Sequence, residues 1–190
     1  MKKETIIILD FGSQYTQLIA RRIRELKVYS EIYPYNIEIE KLKELNPSGI
    51  ILSGGPASVY DKKSPFPDKK IFSLNVPILG LCYGLQIIAT LFGGKVSKAE
   101  SREYGFAILN VKDRKNIFSG LKSQEKVWMS HGDKVIKIPS GFKIIGQTSL
   151  FPIALFIKTA VTVESTPPLT AHKTLSFFTI SLIFFIVSFI

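Results

Sequence analysis

The only cysteine in the chain, Cys82, lies in Gly80-Leu81-Cys82-Tyr83-Gly84, between an apolar strand-like run and a helix-like run. A tight strand-to-helix turn needs small flanking residues, because Cβ atoms would collide there. It also lifts the central side chain toward a helix N-terminus, whose partial positive charge favours a thiolate. Upstream, Gly54-Gly55-Pro56 follows another apolar run and forms a turn whose backbone has little side-chain cover. These features point to nucleophilic chemistry on a carbonyl carbon. Each has a plainer reading: a lone cysteine is most often a small buried apolar residue, and Gly-Gly-Pro alone is an ordinary turn. Their occurrence together favours chemistry.

Such residues need a frame, and the hydropathy pattern supplies one. Residues 5–10, 28–33, 49–52 and 77–81 read as strands of a parallel sheet. Residues 15–27, 38–45, 69–74 and 84–92 read as the helices between them, with Leu18, Ile19, Ile23 and Leu26 on one face of the first. The expected class is α/β, a mostly parallel sheet with helices on both faces, and a site at the C-terminal edge of the strands. Later segments, 106–111, 127–130 and 142–147, read as shorter strands, with antiparallel additions one option. Trp128 reads as core, and Arg21 and Arg22 as a solvated helix face.

At 190 residues, with 25 basic and 15 acidic side chains, the chain has room for one α/β domain and carries a net charge of +10. The charges are dispersed, without a basic block or recognition-helix motif, so nucleic acid is not an expected partner. One cysteine makes no internal disulfide, and a reducing, cytoplasmic setting is expected. The first apolar run is too short for a signal peptide and ends in Asp10, so it reads as a buried strand.

Four segments carry a resemblance. They are residues 8–22 (from Ile8-Leu9-Asp10-Phe11-Gly12-Ser13-Gln14 to Arg22), Gly49-Ile50-Ile51-Leu52-Ser53-Gly54-Gly55-Pro56, Gly80-Leu81-Cys82-Tyr83-Gly84-Leu85-Gln86, and Val127-Trp128-Met129-Ser130-His131-Gly132-Asp133-Lys134-Val135. In order and spacing they resemble the class I glutamine amidotransferases, with the first and fourth similar to the GMP synthetase branch. The resemblance implies a flavodoxin-like fold over residues 1–149. It also implies glutamine hydrolysis through a cysteine thioester, with ammonia passed to an ATP pyrophosphatase (synthetase) domain or subunit that converts XMP to GMP in purine biosynthesis. Cys82 is then the nucleophile, the Gly55 and Tyr83 amides stabilise the oxyanion, and Gly54, Gln86, Ser130, Gly132 and Asp133 line the glutamine pocket. In the family the Ser-His-Gly-Asp loop contacts substrate, so His131 is not expected to act as base. No cofactor or metal is expected in this chain, because ATP and magnesium belong to the synthetase part.

The sequence also departs from the family. Its base comes from a His-Pro-Glu motif after a Tyr-Gly-x-Gln-Phe strand, and neither is present. The second histidine, His172, has no proline or glutamate after it. Residues 151–190 hold seven of the fourteen phenylalanines, no glycine, and only Lys158, Glu164 and Lys173 as charges. Two readings stay open for residues 150–190. One is a hydrophobic anchor in 175–190, making the chain a silent, membrane-tethered amidotransferase-like module. The other is a coding sequence displaced in frame, since a His-Pro codon pair shifted by one base can read Ser-Thr-Pro, as in Ser165-Thr166-Pro167. The second is favoured, so a membrane is not an expected partner, the domain is expected to be incomplete at its C-terminus, and weak or absent glutaminase activity is expected.

Overall fold

A computed structural model describes residues 4–114, 118, 120–148 and 155–158, with the backbone alone described at 99–104, 128–131 and 155–158. The chain divides into two compact units, 1–91 and 92–190.

The first unit is the α/β layer that the hydropathy pattern requires. It contains β1 (Thr5–Asp10), α1 (Thr16–Glu25), β2 (Tyr29–Pro34), α2 (Ile39–Leu45), β3 (Gly49–Leu52), a 3-10 turn (Lys69–Ser73), β4 (Ile78–Gly80) and α3 (Tyr83–Leu91). The strands are parallel in the order β2-β1-β3-β4. Strands covered on both faces must be apolar at every position rather than at alternate ones. Accordingly Ile6 to Leu9 of β1 and all four residues of β3 are buried. Helix α1 buries Ile19, Ala20 and Ile23 and leaves Arg21 exposed, which agrees with a solvated outer face there. Helix α2 ends at Asn46, whose left-handed conformation lets its amide close on the Leu42 and Lys43 carbonyls.

The order β2-β1-β3 reverses direction at β1, so the C-terminal ends of β1 and β3 flank the crevice where open sheets of this kind assemble sites. Asp10, Ser53, Gly54 and Gly55 stand at or just beyond those ends, and Cys82 just beyond β4.

The second unit is a separate antiparallel sheet, in the order β6-β5-β7-β8, of β5 (Lys95–Val111), β6 (Gln124–Lys137), β7 (Phe142–Gln147) and β8 (Leu155–Lys158). Two expectations change here. These strands build their own sheet rather than extending the parallel one, and β5 and β6 are far longer than the short segments at 106–111 and 127–130. The first half of β5 is rich in charged and polar residues and lacks the apolar signal of a buried strand. It is held instead by its backbone ladder with β6, and a register shift between Lys98 and Glu103 marks a bulge. Phe118 and Ile145 are buried, and Phe118 packs close to Gly146. The expected boundary at residue 149 and the apolar stretch 175–190 fall outside the described residues. Among the described residues, no helix is long and apolar enough to cross a membrane.

Candidate functional site

Between β4 and α3 the chain turns within two residues, and Cys82 occupies the turn with φ of +50°. The left-handed region costs a side-chain-bearing residue roughly 1–2 kcal/mol. That strain is held by the closeness of the turn to the sheet. A Cβ on Gly80 would come within 2.6 Å of the Gly84 carbonyl, and one on Gly84 would collide with the Leu52 backbone. Glycine at both positions therefore follows from close approach. The Gly84 amide donates to the Ser53 carbonyl (3.2 Å), the Leu81 amide donates to the Leu52 carbonyl (3.0 Å), and the Cys82 carbonyl accepts from the Leu85 and Gln86 amides. The elbow is thus stitched to the end of β3 on one side and opens α3 on the other.

Cys82 is exposed. It is also crowded: desolvation by the surrounding protein pushes its thiol up to about 11. Solvent contact decides whether a substrate can reach the sulfur, while the crowding decides how often it is a thiolate. The sequence alone, with an ordinary thiol at a helix N-terminus, leads one to expect a few per cent thiolate at neutral pH. The raised value corrects this to about one molecule in ten thousand.

The Gly-Gly-Pro turn lies against the elbow. A Cβ on Gly54 would stand 3.6 Å from that of Cys82, and one on Gly55 would meet the Phe11 carbonyl oxygen at 2.5 Å. Gly54 is buried and Gly55 half-buried. The Gly55 and Tyr83 amides have no acceptor among the described residues. The Tyr83 ring is buried edge-on against Phe11, and its hydroxyl donates to the Pro65 carbonyl (2.9 Å). Gln86 is buried in the first turn of α3.

Two residues to which the sequence assigned no role at the site organise this region. Asp10 closes the loop after β1: its carboxylate accepts from the Gly12 and Ser13 amides and from the Thr16 hydroxyl (2.7 Å), an Asx-type turn that leads into α1. Ser53, fully buried, accepts from the Phe11 amide (3.0 Å) and donates to the Gly54 carbonyl (2.8 Å). An apolar run ending in Asp-x-Gly-Ser was a turn signal available in the sequence. No sequence signal distinguished Ser53 from any other strand-end serine.

The structure therefore brings Cys82, Tyr83, Gly54, Gly55 and Gln86 together within one unit. Ser130, Gly132 and Asp133 belong to the other. They lie on β6 rather than in a loop, paired with the backbone of β5 as Ser130 with Tyr104, His131 with Glu103 and Asp133 with Lys98. Gly132 is exposed and Asp133 half-buried. The pairing with β5 overrules the loop that the family resemblance implied for Ser-His-Gly-Asp. Among the described residues, no group of three or more His, Cys, Asp or Glu side chains could hold a metal ion.

The family model described as glutamine amidotransferase class-I matches residues 7–160. The chain is 53% identical to the glutamine-hydrolysing GMP synthase of Natranaerobius thermophilus over 154 residues, covering 81% of this chain and 30% of that protein. It is equally similar to the corresponding Listeria innocua protein over 153 residues, covering 80% and 30%. It thus spans about a third of the length of these curated relatives. Among solved structures, a putative GMP synthase subunit from Thermoplasma acidophilum superposes with a TM-score of 0.77 at 30% identity, over 96% of this chain and 94% of that one. A glutamine amidotransferase from Thermotoga maritima shares the fold with a TM-score of 0.68 at 18% identity, over 83% and 73%.

Proposed function

The chain belongs to the class I glutamine amidotransferase family, and from that membership we propose that it is the glutaminase part of a GMP-forming enzyme. The observation that carries this reading is the strained Cys82 elbow, exposed to solvent and flanked by the unengaged Gly55 and Tyr83 amides.

The Cys82 thiolate adds to the side-chain carbonyl carbon of glutamine. The carbonyl electrons move onto oxygen, and the Gly55 and Tyr83 N–H groups stabilise the charge that develops there. Collapse of the adduct re-forms the carbonyl and expels nitrogen, which leaves as ammonia after taking a proton. Water then cleaves the thioester to glutamate and returns the thiol. Gly54 lines the pocket beside the sulfur, and Gln86 lines it from α3. Ammonia passes to an ATP pyrophosphatase domain or subunit, where ATP and magnesium activate XMP.

The proton steps limit this chain. No His-Pro-Glu motif stands in the sequence to deprotonate Cys82 or protonate the leaving nitrogen, and desolvation holds the thiol neutral at pH 7. Losing one member of a nucleophile–base pair removes most of the rate and leaves about 10³–10⁴-fold over water from binding and the oxyanion site. Turnover is expected far below one event per second. Glutamine-dependent ammonia release measures it. A slow release abolished by Cys82→Ala supports the proposal, whereas release at about one per second would contradict the impairment.

A further inference from the structure

Ser53 lies one residue before the Gly-Gly turn, and its hydroxyl bonds to Phe11 and Gly54. Its hydroxyl has one proton, and the geometry fixes where that proton goes. The Phe11 amide can only donate and the Gly54 carbonyl can only accept, so Ser53 receives the first bond (3.0 Å) and makes the second (2.8 Å). The Gly54 carbonyl and the Gly55 amide are the two ends of one peptide unit. The chain has no cis peptide bond among the described residues, so these groups point in opposite directions. Holding the carbonyl therefore holds the amide.

The same peptide unit is bounded on its other side. The Cα of Gly55 packs so closely on the Phe11 carbonyl that a Cβ there would lie 2.5 Å from its oxygen. Phe11 is thus used twice, its amide anchoring Ser53 and its carbonyl backing Gly55. The strand end is tied down as well: the Ser53 amide donates to the Leu9 carbonyl (3.0 Å), and the Ser53 carbonyl accepts from the Gly84 amide of the elbow. Glycine pairs rotate their shared peptide easily. Among the described residues, the Ser53 hydroxyl is the hydrogen-bond donor that fixes which way the Gly54–Gly55 peptide faces.

We propose that Ser53 is a positioning residue that locks the Gly54–Gly55 peptide with its amide turned toward the developing oxyanion. This rests on the reading of Cys82 as the glutaminase nucleophile. The proposal predicts a selective defect. Reactions in which thiolate addition creates an oxyanion should depend on Ser53, and direct displacement at carbon should not.

Two reagents separate these cases. With a chloroketone analogue of glutamine, the Cys82 thiolate adds to the ketone carbon and forms an alkoxide. The sulfur of the adduct then displaces chloride from the neighbouring methylene carbon, and its bond to the former ketone carbon breaks as the carbonyl re-forms, leaving a thioether on the methylene. Iodoacetamide reacts by direct displacement of iodide, with no oxyanion. The quantity to compare is the ratio of the two alkylation rates at Cys82, followed by mass spectrometry in the full chain under conditions where circular dichroism shows each variant folded, because unfolding frees the thiol and would lower the ratio by itself. In Ser53→Ala the ratio is expected to fall by about tenfold or more, given that removing an oxyanion donor outright costs about 10²–10³ in rate. Ser53→Thr, which keeps the hydroxyl, is expected to stay within about threefold of the parent. An unchanged ratio in Ser53→Ala, or an equal fall in Ser53→Thr, would overturn the proposal. Failure of the chloroketone to label the parent protein would overturn the glutaminase reading itself, an outcome distinct from labelling that ignores Ser53.

Discussion

The two units solve different problems with different strands. In the first, β1 and β3 are buried at nearly every position, and the chain can be pressed against itself tightly enough to hold Cys82 in a left-handed turn. In the second, β7 mixes buried with half-buried and exposed positions, and Phe106 on β5 and Ile136 on β6 are largely exposed. Close packing of backbone on backbone builds reactive geometry. A ribbon with one open face cannot store that strain, but it can present polar side chains such as Asp133. Bond-making is accordingly assigned to the first unit.

That division can be broken most severely at the sulfur. Cys82→Ala should abolish both ammonia release and chloroketone labelling, whereas no substitution on β6 should abolish iodoacetamide labelling of Cys82. Next in size is the pH response. A thiol raised to about 11 is neutral below that value, and only the thiolate reacts, so the alkylation rate should climb about tenfold per pH unit from pH 7 to pH 10. Levelling off near pH 8.5 would show an unperturbed thiol. The packing contrast comes third. Gly84→Ala should destabilise the protein by about 3 kcal/mol or more through collision with the Leu52 backbone. Gly120→Ala, with φ of +88° but open space around it, should cost only about 1–2 kcal/mol. Chemical denaturation of the two variants measures the difference.

Much of the first unit could be read from the sequence, because buried parallel strands announce themselves as unbroken apolar runs. Residues 5–10 and 49–52 coincide with β1 and β3, and the elbow was marked by its glycines. The helix at 15–27 is shorter in the structure, starting at Thr16 after the Asp10 turn and ending at Glu25. The second unit was harder to read for the converse reason. The first half of β5 is held by ladder hydrogen bonds that leave no hydrophobic signature, so its length and the strand character of His131 to Asp133 were missed. Within the site, the sequence pointed to the residues whose types are unusual, Cys82, Gly54 and Gly55. It was silent about Ser53 and about the raised thiol, because a hydroxyl's partners and a sulfur's desolvation depend on what folding brings beside them.

The central claim is that Cys82 is poised to attack the side-chain amide carbon of glutamine. Labelling with the chloroketone analogue at pH 9, in the presence and absence of glutamine and followed by peptide mapping, tests it most directly. The account predicts a single adduct on Cys82 whose formation glutamine slows and glutamate slows less. Modification that glutamine does not slow, or that leaves Cys82 untouched while other side chains react, would contradict it.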